Sequence, residues 1–127
     1  NEYEWELLQK HTGYSANKIV NMVELVVITM GAKGAIITHQ GKNVAVPVVP
    51  VENIVDPTGV GDAFRGGFIR GLLKGFDWET CGQIGSLAAA YCLEQRGTHS
   101  HQYTLEEFIH RYRRHFDDQG KLDALKN

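Results

Sequence analysis

Apolar positions recur with two different spacings, and the change from one to the other organises the chain. Near the start, Trp5, Leu7 and Leu8 mark one side of a helix over 1–10, which Gly13 stops; a second short helix is expected over 15–22. The β-branched apolar run at 25–30 predicts a buried strand, and a turn from Gly31 to Gly34 leads into a second strand at 35–39. A hairpin turn over 41–43 is expected to open a third strand at 44–46. Pro47 and Pro50 push the next segment toward extended edge structure, and 51–55 feeds a loop over 56–61. The spacing then becomes helical. Phe64, Phe68 and Leu72 form a stripe over 62–74, with Gly67 and Gly71 on a neighbouring face that permits close approach of another element. Cys81, Ile84, Leu87, Ala88, Tyr91 and Cys92 form a broad stripe over 78–94. Thr104-x-x-Glu107 is a capping box that opens a last helix through Phe108, Ile109, Tyr112 and Phe116, and the polar tail after Asp117 is expected to fray. Strands followed by helices, without repeats or an internal linker, give an α/β reading.

Composition narrows the function classes. With 127 residues, 43% apolar, the chain can bury a core. A formal charge of −2 gives no broad case for nucleic acid or an anionic membrane as partner. No apolar run is long enough to span a bilayer, and the acidic, polar start does not read as a signal peptide. Cys81 and Cys92 fall in one expected helix, separated by roughly 16 Å at about 1.5 Å per residue, too far to bridge. Both read as small packing residues in a reducing, cytoplasmic setting. His99-x-His101 is at best half a metal site, and the basic run from His110 to Arg114 is balanced by neighbouring acids into a solvated helix face.

The most informative stretch is Asp56-Pro-Thr-Gly-Val-Gly-Asp62-Ala-Phe64. Gly59 and Gly61 stand just ahead of a helix, where unpaired N–H groups and the helix dipole favour an anion and the lack of side chains lets a phosphoryl group come close. A carboxylate at Asp62 would sit at that site and could accept a proton from an attacking hydroxyl. Taken alone, the same residues read more readily as an N-cap after a glycine turn. Other phosphate loops do not fit: there is no Gly-x4-Gly-Lys-Ser/Thr, and Phe64 stands where a dinucleotide fingerprint has its third glycine.

The longer string, continuing to Gly67, resembles the C-terminal signature of the PfkB/ribokinase family of carbohydrate and nucleoside kinases, and the resemblance covers nearly the whole chain. Asn1-x-x-Glu4 is similar to the family element that helps organise magnesium and phosphate, though taken alone it reads more readily as a capping box. Thr29-x-Gly31-x-x-Gly34 resembles the strand-turn segment that contacts ATP. Ser86 falls where relatives line the adenine pocket, although that position often carries Asn, and Gly97 falls in the loop that closes it. Asp56 matches a position used by several relatives for a monovalent cation, which adds K+ to ATP and Mg2+ as a candidate cofactor. Residues 104–112 look closest to bacterial adenosine-kinase-like members.

The resemblance implies the C-terminal, ATP-binding portion of a ribokinase-like three-layer α/β/α fold. It implies phosphoryl transfer to a primary hydroxyl of an adenosine- or ribose-like acceptor, with Asp62 as base and the backbone of Gly59, Val60, Gly61 and Asp62 as anion hole. Arg65 could reach a phosphate or simply be solvated. In the family the acceptor pocket and its lid come largely from the N-terminal half, so the 127 residues alone are expected to be inactive. They are also expected to expose an apolar sheet edge that a partner or a second copy, as in a homodimer, would cover. The alternatives are a nucleotide- or anion-binding module without turnover, and a structural fragment.

Overall fold

The computed structural model describes residues 1–95 and 102–127, which form two compact units, Asn1–Pro47 and Val48–Asn127. Gly97, His99 and His101 lie outside the described residues.

The first unit opens with helix α1 (Glu2–Thr12), capped at its start by Asn1 and closed by Gly13, whose left-handed backbone (φ 68°) lets its N–H reach the Gln9 carbonyl. Helix α2 (Ala16–Met22) follows, with Ser15 as N-cap and Ile19 buried. Strands β1 (Leu25–Thr29), β2 (Ala35–His39) and β3 (Lys42–Val46) form an antiparallel sheet with β2 in the centre. Thr29 stands opposite Ala35, and Ala35 opposite Val46. The hairpin turn is Gln40-Gly41 rather than 41–43. Both residues have positive φ (49° and 75°), the two-residue connection whose twist matches antiparallel strands, and β3 therefore starts at Lys42. The expected burial of β1 is only partial. All five residues are half-buried, because among the described residues the strand pairs on one edge only. The apolar side of α1 is likewise open: Trp5 is half-buried, Leu7 and Leu8 are exposed, and no residue of the helix is buried.

The second unit is built on helices α3 (Val60–Leu73) and α4 (Trp78–Leu93). Residues 47–59 are irregular and carry no strand. In α3 the buried positions are Phe64, Phe68 and Gly71, while Leu72 is exposed. The glycine face, not the third apolar residue, meets α4. A Cβ on Gly67 would lie 2.9 Å from Gly85 Cα, and one on Gly71 would lie 3.1 Å from Cys81 Cα. Helix α4 is buried around most of its circumference, and Ile84, Leu87, Ala88 and Ala90 join Phe108, Ile109 and Tyr112 of α5 (Leu105–Arg113) in one core. Both cysteines are free and buried. None of the described helices is long and apolar enough to cross a membrane.

The tail after Asp117 does not fray. Gly120 turns it into a 3-10 segment (Lys121–Lys126) that buries Leu122 and Leu125 in the same core. Asp118 organises this turn from a buried position, accepting two bonds from Arg113 (3.0 Å each) and the Leu122 N–H (2.9 Å). The Arg113 guanidinium, followed by the Leu122 and Gly120 N–H groups, holds the carboxyl at about 2, below its ordinary 3.8. Because the folded value is depressed, this stabilisation is complete above about pH 4 and is lost as pH falls toward 2. Asp118→Asn is therefore expected to lower Tm at neutral pH and to flatten the acid limb between pH 4 and 2, as read by thermal melts across that range. The basic run on α5 is accordingly more than a solvated face: Arg113 is held by Asp118, and Arg111 makes a two-pronged pair with Glu94 (2.6 and 2.7 Å).

Candidate active site

The candidate residues divide between the two units. In the first, Asn1 and Glu4 form a complete capping box. Asn1 Oδ1 accepts the Glu4 N–H at 2.9 Å, and the Asn1 nitrogen donates to Glu4 Oε2 at 2.6 Å. Both side chains are nonetheless exposed, so capping and presentation of a carboxylate coexist. Thr29 ends β1. Gly31 starts a 3-10 turn (Gly31–Lys33), and Gly34 closes it by donating to the Gly31 carbonyl while accepting the Met30 N–H. Gly31 (φ 55°) has open space where a Cβ would be; Gly34 (φ 88°) has the Val46 carbonyl oxygen 2.1 Å from that point. The two glycines of one motif thus stand in opposite circumstances.

In the second unit the loop from Asp56 to Gly59 delivers the chain to α3. Asp56 Oδ1 accepts the Thr58 N–H at 2.8 Å, making a tight local turn. Gly59 is the N-cap, in left-handed conformation (φ 80°), and supplies no side-chain cap. The helix therefore begins at Val60, two residues earlier than expected, and Asp62 lies inside its first turn instead of capping it. The carboxylate is exposed and pairs with Arg65 one turn on, also exposed. Among the described residues the N–H groups of Gly59, Gly61 and Asp62 have no acceptor, and that of Val60 meets the Pro57 carbonyl at a long 3.4 Å. Several donors and the positive end of a 14-residue helix are consequently gathered beside one open carboxylate.

Ser86 is buried, and its hydroxyl accepts the Val49 N–H at 3.1 Å, tying the segment after the first unit's boundary to α4. Cys92, which reads from the sequence as a packing residue, lies under the Asp56–Gly59 loop and donates from Sγ to the Thr58 carbonyl at 3.4 Å. Next to it, the Leu93 carbonyl accepts the Val55 and Asp56 N–H groups at 2.8 and 3.4 Å. No local sequence signal announces these contacts, since Cys92 and Thr58 are 34 positions apart. No group of three or more His, Cys, Asp or Glu among the described residues could hold a metal ion.

The profile of the pfkB family carbohydrate kinases matches residues 1–104. A nucleoside kinase of Methanocaldococcus jannaschii is 30% identical over 115 residues, covering 91% of this chain and 38% of that protein. Among solved structures, the Burkholderia thailandensis nucleoside kinase in complex with ADP-inosine superposes with TM-score 0.89 at 39% identity, covering 91% of this chain and 36% of that one. The ribokinase of Thermotoga maritima superposes with TM-score 0.76 at 28% identity, covering 89% of this chain and 40% of that one. The chain spans well under half the length of these relatives.

Proposed function

The chain belongs to the pfkB family of carbohydrate kinases and has a ribokinase-like α/β fold; from that premise we propose that it carries the anion hole and the base for ATP-dependent phosphoryl transfer to a primary hydroxyl of a nucleoside or sugar. The observation that carries this reading is the position of Asp62. A glycine takes the capping role, so the carboxylate stands exposed, paired with Arg65, in the same first turn as N–H groups that have no acceptor among the described residues.

In this mechanism Asp62 accepts the proton of the acceptor hydroxyl as its oxygen forms the new bond to the γ-phosphorus and the bond to the ADP leaving oxygen breaks. The N–H groups of Gly59, Gly61 and Asp62 meet the charge that gathers on the transferring group, with the Val60 N–H contributing less because of Pro57. Arg65, exposed and paired with Asp62, would exchange that carboxylate for a phosphate oxygen. Thr29 and Gly31 are assigned to the nucleotide, with Gly34 shaping their turn. Ser86 is assigned to the wall of the adenine pocket through its hold on Val49, not through a bond to the base. Gly97 keeps its family role as a proposal from the sequence alone.

A magnesium ion fits the donor set in one way only. With no cluster of ligands among the described residues, phosphate oxygens and water would supply most of its shell, with the exposed Glu4 carboxylate, oriented by Asn1, as the protein's contribution. Its chemistry when bound is neutralisation of phosphate charge. Asp56, half-buried with Oδ1 engaged by Thr58, remains the position for a monovalent cation such as K+.

Nucleosides lead the acceptor class, because the Burkholderia thailandensis nucleoside kinase shares 39% identity at TM-score 0.89 against 28% and 0.76 for the ribokinase, over similar shares of the chain. The full-length protein is expected to transfer phosphate from ATP to inosine- or adenosine-like nucleosides faster than to ribose, while the 127 residues alone give no turnover. A radiolabelled-ATP assay across nucleosides and sugars checks both statements. Absence of transfer to every acceptor by the full-length protein, with ATP still bound, would favour the non-catalytic nucleotide-binding reading.

A further inference from the structure

We infer that Cys92 is a positioning residue for the anion hole: its buried thiol fixes the Thr58–Gly59 peptide so that the Gly59 N–H faces outward. The inference rests on the phosphoryl-transfer reading above.

The last turn of α4 holds the loop at two levels. The Leu93 carbonyl accepts the N–H groups of Val55 and Asp56, which sets where the loop starts, and Cys92 Sγ donates to the Thr58 carbonyl, which sets how it ends. Thr58 is thus fixed from both sides, its N–H by Asp56 Oδ1 and its carbonyl by Cys92. A trans peptide is planar, with its C=O and N–H directed oppositely. The Thr58 carbonyl and the Gly59 N–H belong to the same peptide unit. With the carbonyl drawn down onto α4, the Gly59 N–H must point away from that helix, and among the described residues nothing accepts it. Gly59, in the left-handed region at φ 80°, then turns the chain into α3.

A flip of this peptide would present a carbonyl oxygen where a donor is needed, turning attraction for a phosphoryl group into repulsion. Glycine on one side of the unit makes such a flip easy, since no Cβ resists it. The thiol is the restraint against it. Cys92 is only 1% exposed, too enclosed to serve as a nucleophile. Burial, then the Asp56 and Asp62 carboxylates, push its pKa up and keep it protonated, as a donor must be. An S–H is a weak donor, so its consequence is expected in orientation more than in stability.

The test uses the full-length protein with Cys92→Ala, Cys92→Val and Cys92→Ser, measuring kcat, KM for ATP and acceptor, and Tm. Ala and Val remove the donor, and Val also fills the volume should Ala leave the core too loose to fold. Both are expected to lower kcat about tenfold, less than the roughly 10²–10³-fold that follows loss of a whole oxyanion-hole donor, with acceptor KM unchanged. Ser, which keeps a donor, is expected to restore most of the rate. Wild-type kcat in the donor-free variants, or a Ser variant as slow as Val, would overturn the inference. Asp62→Asn is run alongside. If that variant is inactive while the donor-free variants are normal, only the role of Cys92 fails; if the parent itself transfers no phosphate to any acceptor, the phosphoryl-transfer reading fails with it.

Discussion

Asp62→Asn in the full-length protein is expected to reduce phosphotransfer by about 10²–10⁴-fold, the usual range for loss of a general base, while leaving the fold intact. The two consequences separate because they draw on different interactions. For stability, the substitution removes an exposed pair with Arg65, a kind of contact with a median value of about 0–1 kcal/mol. It also removes a negative charge from the first turn of α3, where the helix dipole contributes typically about 0.3–1 kcal/mol. Asn is close to isosteric, and the N-cap is Gly59, so no capping bond is lost. For catalysis, a 10²–10⁴-fold loss corresponds to about 3–5 kcal/mol of barrier, several times the stability effect. Circular dichroism and Tm should therefore scarcely move while kcat collapses. Had Asp62 been the N-cap, Asp62→Ala would cost a further capping bond, about 0.5–2 kcal/mol, whereas Asn would keep it. Near-normal turnover in a folded variant would sink the assignment.

That contrast also shows how far the residues alone could be read. The segment 56–62 is recognisable from its glycines and acids, but the start of α3 is not. A carboxylate ahead of an apolar stripe satisfies the rules for a side-chain cap, whereas a glycine caps by conformation and leaves no chemical mark. The α3–α4 approach was legible because glycine spacing reports room for a backbone, as Gly67 against Gly85 bears out. The tail was not. Leu122 and Leu125 are two apolar residues in a polar stretch, too few to show a period, and it is Asp118, reading as one more surface acid, that folds the turn around them. Contacts distant in sequence, such as Cys92 to Thr58 and Arg111 to Glu94, follow from packing that no local pattern encodes. The candidate residues stood out through a longer string that resembles a family signature, since glycine and carboxylate in close sequence read alone as a capped turn. Their supports, drawn from any element that happens to pack beneath, belong to no such string.

Gly34→Ala is expected to unfold the first unit's sheet, a loss of more than about 3 kcal/mol, whereas Gly31→Ala should be tolerated at about 1 kcal/mol, the ordinary strain of a side chain at positive φ. Both glycines belong to the Thr29-x-Gly31-x-x-Gly34 element, and both have positive φ, at 55° and 88°. They differ in what surrounds them. A Cβ at Gly31 meets nothing within 4 Å. One at Gly34 lies 2.1 Å from the Val46 carbonyl oxygen, 3.1 Å from its carbon and 3.2 Å from Pro47 Cα, all backbone atoms that cannot rotate aside. Relief would require the end of β3 to move away from β2, breaking the pairing of Ala35 with Val46, both buried. It would also loosen the bonds by which Gly34 closes the turn onto Met30 and Gly31. Hydrogen exchange in β2 and β3 of the full-length protein reads the effect directly, with protection lost in the Gly34 variant and kept in the Gly31 variant. ATP titration completes the distinction. If Gly31 contacts the nucleotide, its Ala variant should weaken ATP binding with the sheet still protected. A Gly34 variant as protected as the parent would mean that β3 can yield after all, and the second glycine would then have to be explained by the ligand instead of the sheet.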